Sequence, residues 1–200
     1  MIIGLCGFQG SGKDTLANIL VNDYGYIRLS FAGILKDVVS ILFDWDRDKL
    51  EGLTEESRLW REAKDEWWSE KLLRDITPRR MLQEIGTDLF RNNFHCDIWL
   101  NCLENKLRKY KNKNVVISDC RFKNEIKMIK KYKGFIFQLN RNLPNWYNDY
   151  KLGKVKLDEI GLHSSEIEWL ICKPDFEIDN SNSINELKIR FNFLMKLLKV

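Results

Sequence analysis

A chain of 200 residues can bury a hydrophobic core without disulfides, metals or a partner, and 44% hydrophobic with 31% charged residues is the balance of a globular protein in water. No stretch approaches the roughly 18 consecutive apolar residues of a membrane span, and residues 1–10 lack the basic flank and long apolar run of a secretory leader, so a cytoplasmic protein that meets no membrane is expected. The five cysteines include no CxxC pair, which argues against a disulfide framework or a zinc site, and with a net charge of only +4 the lysine-rich runs near 106–113 and 127–133 read as solvated faces before nucleic-acid contacts.

Residues 2–6 form a short apolar run that predicts a strand, and 13–23 carry Leu16, Ile19 and Leu20 at the spacing of a helix face. A second strand at 27–31 and a helix at about 34–43 follow. From 44 to 113 no strand pattern stands out, and long polar helical segments predict an all-helical insertion. Within it Thr77 and Pro78 make a good helix start, a capping residue followed by a proline whose missing donor is not needed there. Another helix begins near Asp97. Residues 115–118 read as a buried strand, 123–133 as a helix closed by Gly134, 135–139 as a fourth strand and 176–178 as a fifth. At the end of the chain Ile184, Leu187, Phe191, Leu194, Met195 and Leu198 share one helical face suited to packing on a sheet. Strands separated by crossover-length helical segments predict an α/β fold with a parallel sheet covered on both faces. The expectation is one domain over 1–200, interrupted by the insertion at 44–113 and by 141–162.

Gly7, Gly12 and Lys13 satisfy GxxxxGK between a strand and a helix. In that context glycines let successive amides turn toward phosphate oxygens, and the helix N-terminus adds its positive end. Residues 7–15, with Gln9, Gly10 and Ser11 inside the loop, are therefore the expected site of a nucleoside triphosphate, ATP first. Lys13 supplies a full charge near the transferring phosphate. After it, where serine or threonine ordinarily meets magnesium, stand Asp14 and then Thr15. Both offer oxygen to a hard cation, and Asp14 also suits a first helical turn, so the metal ligand stays open between them. Asp119, straight after the strand at 115–118, is placed to hold the magnesium shell. Arg121, two residues on, points the same way if the chain stays extended and can clamp phosphate. A surface ion pair at a strand end is the plain alternative.

GKDT at 12–15, SFAGILKD at 30–37, TPRRMLQEIGTDLFR at 77–91, DIW at 97–99, VVISDCRFKNE at 115–125, HSSE at 163–166 and FEIDNSNSINEL at 176–187 together resemble the bacteriophage-type deoxynucleoside monophosphate kinases. The resemblance covers nearly the whole chain in matching order. It implies a P-loop kinase fold, a five-stranded parallel sheet flanked by helices with a helical acceptor-binding insertion and a mobile lid at 141–162. It also implies transfer of the γ-phosphoryl of ATP, with Mg2+, onto a deoxynucleoside monophosphate to give the diphosphate. Asp14 then becomes a family trait, and Lys36, Arg79, Gln83, Thr87 and Arg91 become the acceptor side. On one helix 79, 83, 87 and 91 would present a nearly continuous polar stripe, the other reading being a solvated face.

Asp97 and Trp99 are candidates for base or sugar contacts, against the more usual core role of a tryptophan. The resemblance puts His163 and Glu166 near the phosphates, while the residues alone read equally as a capping box from Ser165 to Glu168. Asn180 resembles the loop beneath the adenine, although 179–182 are also ordinary turn residues. Arg141 opens the lid and, with Lys13, Asp119 and Arg121, completes the expected catalytic group, in which cations neutralise spreading charge. It is the only arginine of that segment, a departure from arginine-rich lids. Two other readings stand: a kinase for another small phosphorylated acceptor, since phosphomevalonate kinases share the GKD loop and dephospho-CoA kinases a similar tail, or a non-catalytic ATP-binding module associated with nucleic acid. Apolar residues on the insertion suit a homodimer or a core.

Overall fold

The computed structural model describes residues 1–198. The chain opens with β1 (Ile2–Cys6), α1 (Lys13–Tyr24) and β2 (Ile27–Leu29). Helices α2 (Ala32–Phe43), α3 (Glu55–Glu62), α4 (Glu66–Leu72), α5 (Pro78–Gln83) and α6 (Ile98–Leu107) follow with no strand among them. The remainder is β3 (Val115–Ile117), α7 (Lys123–Lys131), β4 (Phe135–Asn140), α8 (Trp146–Lys151), α9 (Ser164–Ile167), β5 (Phe176–Asp179) and α10 (Ile184–Leu197). Two compact units result, one formed by 1–30 with the described residues from Lys109 on, the other by Phe31–Arg108. Among the described residues no helix is long and apolar enough to cross a membrane.

The first unit is built on five parallel strands in the order β2-β3-β1-β4-β5. β1 lies in the middle, with Ile3 opposite Val116 on one side and Phe135 on the other. Such a strand is covered on both faces, and Ile3 and Leu5 are fully buried, each contributing about 2 kcal/mol of apolar burial. They join Leu16 and Leu20 of α1, Phe137 and Leu139 of β4, and Leu187 and Phe191 of α10 in one core. On the opposite face a Cβ on Gly4 would meet Ile129 Cδ1 at 2.6 Å, so glycine is what lets α7 lie against the strand.

Several expected boundaries move by a residue or two. β2 stops at Leu29, where its pairing with β3 ends at Ile117, and Phe31 is instead a buried residue at the head of α2. α7 ends at Lys131 with Tyr132 as its cap, and Gly134 closes it from two residues beyond, its N donating to Ile129 O at 2.9 Å while Lys133 N donates to Lys130 O at 2.9 Å. A Cβ on Gly134 would strike Ile129 Cγ2 at 2.7 Å and the Ile2 carbonyl at 2.8 Å, and close approach to β1 is what requires glycine there. α10 buries Leu187, Phe191 and Met195, while Ile184 in its first turn is 59% exposed.

The second unit is helical. Its core is aromatic where the composition looked polar: Phe43 stacks on Trp45 with centroids 4.4 Å apart, and Trp45 Nε1 donates to Asp65 Oδ2 at 2.7 Å. Thr77 Oγ1 accepts from Arg80 N and Pro78 follows it, as expected for this helix start. After Gln83 the helix widens into a π-helical stretch, Glu84–Phe94, ending where His95 N donates to Phe90 O at 2.8 Å.

Candidate active site

The turn from β1 into α1 is made possible by backbone that only glycine adopts readily. Gly7, Gly10 and Gly12 have φ of 140°, 76° and 95°, and Gly12 caps α1 in the left-handed region. The first amides of α1 have no partner inside the helix, which makes this end a ready anion site. Lys13 folds back over the loop, its Nζ donating to the carbonyls of Gly7 and Phe8 at 2.8 Å each. Burial, and then the nearby Arg121 charge, bring its pKa down to about 8.

Asn180 holds the loop from behind. Its Nδ2 donates to the Ser11 carbonyl at 3.0 Å, and its backbone N to Asn140 O at 2.8 Å. A Cβ on Gly12 would lie 2.2 Å from Asn180 Nδ2. Ser11 is fully buried, while Gln9 and Gly10 are exposed.

Asp14 is exposed and its carboxylate is paired with Arg28. Arg28 Nε also donates to Ser118 Oγ at 3.1 Å, so one guanidinium from β2 links the start of α1 to the end of β3. Thr15 is partly buried, and its hydroxyl has no hydrogen-bond partner among the described residues. Asp119 follows Ser118 and is partly buried.

Arg121 Nη1 lies 3.2 Å from Glu166 Oε1 and 3.4 Å from the Ser165 carbonyl. Its backbone N, like that of Phe122, donates to Glu125 Oε2, and Glu125 is only 1% exposed. The histidine motif therefore comes to the end of β3, and the capping reading of it is corrected. His163, with Nδ1 accepting from Ser165 N, caps α9, whereas Glu168 accepts from Lys123 N at 3.0 Å and closes no box with Ser165.

Arg141 is exposed immediately after β4. Helix α8 in the segment beyond it is docked. Gln138 Nε2 donates to Tyr147 OH at 2.8 Å, Tyr150 OH to Leu170 O at 3.1 Å, and Lys151 pairs with Glu177 at 3.3 Å. Phe8 of the phosphate loop packs edge-on against Trp146, Tyr147 and Trp169.

In the second unit Lys36 Nζ lies 2.5 Å from Glu51 Oε2, and Arg47 reaches the other Glu51 oxygen at 2.6 Å. Burial pushes the Glu51 carboxyl up, but the two cations outweigh it and hold it below the usual range. Arg79 pairs with Glu62 at 3.2 Å. The expected stripe is bent, because Arg79 and Gln83 lie on α5 while Thr87 and Arg91 lie on the π-helical stretch, where the turn is wider. It is not a solvated face: Thr87 and Arg91 are buried, and Arg91 Nη1 donates to the Cys96 carbonyl at 3.3 Å. Asp97 is partly exposed. Trp99 is a core residue, 5% exposed, its Nε1 donating to Gly86 O at 2.8 Å.

Three residues of the site stand outside the expected set: Arg28, Glu125 and Phe8. Arg28 carried a signal, a charge inside a short apolar strand. Glu125 carried another, an acid in the first turn of a helix. Phe8 occupies a loop position that the motif leaves open, and nothing local marked it.

The family model for deoxynucleotide monophosphate kinases matches residues 57–190. A protein of Acanthamoeba polyphaga mimivirus, provisionally named a deoxynucleotide monophosphate kinase, is 33% identical over 198 residues, covering 93% of this chain and 91% of that protein. The chain belongs to the deoxynucleotide monophosphate kinase family. A deoxynucleoside-5′-monophosphate kinase of Escherichia phage T5 is 29% identical over 179 residues, 65% of this kinase and 72% of the phage protein. Among solved structures, dephospho-CoA kinase from Campylobacter jejuni aligns with a TM-score of 0.48 at 18% identity, covering 98% and 95% of the two chains. Shikimate kinase from Aquifex aeolicus aligns at 0.42 and 17%, covering 99% of each. Resemblance of that degree says nothing about substrate. As a member of its family the protein is a phosphotransferase with the five-stranded parallel sheet of a P-loop kinase.

Proposed function

We propose that this kinase moves the γ-phosphoryl of ATP onto the 5′-phosphate of a deoxynucleoside monophosphate, releasing ADP and a deoxynucleoside diphosphate in the cytoplasm. The observation that carries the reading is the loop itself: Lys13 is already folded over a glycine turn at a helix N-terminus, close enough to Arg121 to feel its charge. In-line transfer needs positioning and charge neutralisation more than covalent chemistry. Loop amides hold the β- and γ-phosphates, Lys13 and Arg121 face the oxygens on which charge spreads, and Arg141 adds a further cation. The acceptor phosphate is already ionised, so no general base is required.

The donors near the loop fit magnesium. Thr15 offers a hydroxyl and Asp119 a carboxylate, both hard oxygen ligands, while the Asp14 carboxylate is engaged by Arg28 and supports the site from outside. Thr15 and Asp119 are therefore the proposed ligands; when bound, the ion supplies charge neutralisation at the phosphates. On the acceptor side Lys36, Arg79 and Arg91 recognise the phosphate, and Gln83, Thr87 and Asp97 the nucleoside. Lys36 and Arg79 now hold carboxylates, the same charge type that a phosphate brings. Trp99 supports that helix through Gly86 and is assigned no contact with the nucleotide.

The test is ADP formation with ATP, magnesium and each of the four deoxynucleoside monophosphates. Turnover with at least one, lost in Lys13→Ala, is the expected result. No turnover across the panel, with phosphorylation of dephospho-CoA or phosphomevalonate instead, would overturn the acceptor assignment.

A further inference from the structure

We propose that Phe8 is a positioning residue that couples helix α8 to the phosphate loop, so that the docking of α8 sets how the loop presents Lys13. The proposal rests on the reading that Lys13 holds the phosphates of ATP.

Two observations meet in this one residue. Its ring lies edge-on against Trp169, Trp146 and Tyr147, with centroids at 5.1, 5.5 and 5.7 Å. Its carbonyl is one of the two backbone oxygens that accept from Lys13 Nζ at 2.8 Å. The flanking residues cannot share this task. Gly7 and Gly10 have no side chain, Gln9 is exposed, and Ser11 is committed to the buried floor of the loop. Phe8 alone gives the loop an apolar anchor.

The helix on which it anchors does not depend on it. Tyr147 accepts from the buried Gln138, Tyr150 donates to Leu170, and Lys151 pairs with Glu177. α8 is thus a fixed support and the glycine-rich turn is the compliant partner. Edge-on aromatic contacts are directional, so three of them fix the orientation of the ring and, through it, the Phe8 peptide. When ATP arrives, Lys13 must exchange the Gly7 and Phe8 carbonyls for phosphate oxygens. An anchored Phe8 peptide keeps the loop in place while its lysine changes partner; an unanchored one lets the loop follow the lysine and lose its donor geometry.

The experiment compares Mg-ATP binding by calorimetry and steady-state kinetics in Phe8→Leu, Phe8→Tyr, Trp146→Leu and the double variant Phe8→Leu/Trp146→Leu, with Lys13→Ala alongside. Phe8→Leu and Trp146→Leu should each weaken ATP binding by about tenfold while leaving KM for the monophosphate within about twofold. Phe8→Tyr, which keeps the ring, should restore binding to near the parent value. The double variant should bind no more weakly than either single change, because both break the same coupling. Trp146 is only partly buried, so its variant keeps the test open if Phe8→Leu fails to fold. If Lys13→Ala binds ATP as the parent does, the loop reading itself falls. If Lys13→Ala loses ATP while both single variants bind within about twofold of the parent, or their losses multiply in the double variant, the coupling is overturned.

Discussion

Arg121 Nη1 and Glu166 Oε1 stand 3.2 Å apart although 45 positions separate them in the chain. The pair joins the turn after β3 to the start of α9, and a carboxylate thereby orients the guanidinium whose charge helps lower the Lys13 pKa. Neither side chain is deeply buried, so the contact contributes little to stability, under about 1 kcal/mol. Its value is orientation.

Arg121→Ala should lower kcat by about 10²- to 10³-fold, the loss typical of one donor to developing charge. Glu166→Gln should lower it by about tenfold, since a neutral amide can still accept one bond from the guanidinium. Both variants should unfold within a few degrees of the parent. ADP-release kinetics together with thermal melts check the pair, and equal losses of activity and stability would contradict the orienting role.

Gly12 and Gly10 both have positive φ, yet their surroundings differ. At Gly12 a methyl group would sit 2.2 Å from Asn180 Nδ2, whereas at Gly10 nothing lies within 4 Å. Gly12→Ala should cost about 1–3 kcal/mol in urea unfolding and weaken ATP at least tenfold. Gly10→Ala meets only the backbone penalty, about 1–2 kcal/mol. A larger loss at Gly10 than at Gly12 would contradict the buttress role of Asn180.

Lys13 has its pKa lowered to about 8, mainly by burial. Its charged form is the one that holds phosphate, and bound phosphate raises the pKa. ATP affinity should therefore be flat below about pH 7.5 and fall as pH rises through 8, by up to tenfold per unit. Stability moves the other way. Between about 8 and the ordinary lysine value near 10.5 the unfolded chain binds a proton that the folded chain lacks, so this group makes the fold more stable as pH rises across that window. Calorimetric titration of ATP from pH 6.5 to 9.5, with a melt at each pH, separates the two.

Trp99→Phe keeps an aromatic ring but removes the indole N–H that donates to the Gly86 carbonyl. Losing this buried hydrogen bond and part of the ring should cost about 1–3 kcal/mol, read as a lower urea midpoint. Activity per folded molecule should change less than twofold, which distinguishes a core tryptophan from one that touches the base.

What the sequence determined by itself is local. Strand, glycine turn and helix at residues 2–24 follow from neighbours a few positions apart, as does the Thr77–Pro78 helix start. Five apolar runs separated by helices already implied a parallel sheet, because only long crossovers can join parallel strands. The tertiary structure decided the partners. Asp14 meets Arg28 because the sheet order sets β2 beside β3, and no local pattern encodes that pairing. Glu166 meets Arg121 because α9 packs where β3 ends, and no periodicity encodes that meeting. The stripe at 79–91 bent because π-helical turns are wider than the four-residue spacing assumed, and Phe8 was invisible because its partners lie at 146, 147 and 169. Backbone preference acts over a turn or two of chain, whereas a side chain's partners depend on which strands and helices become neighbours, and only the folded sheet fixes that.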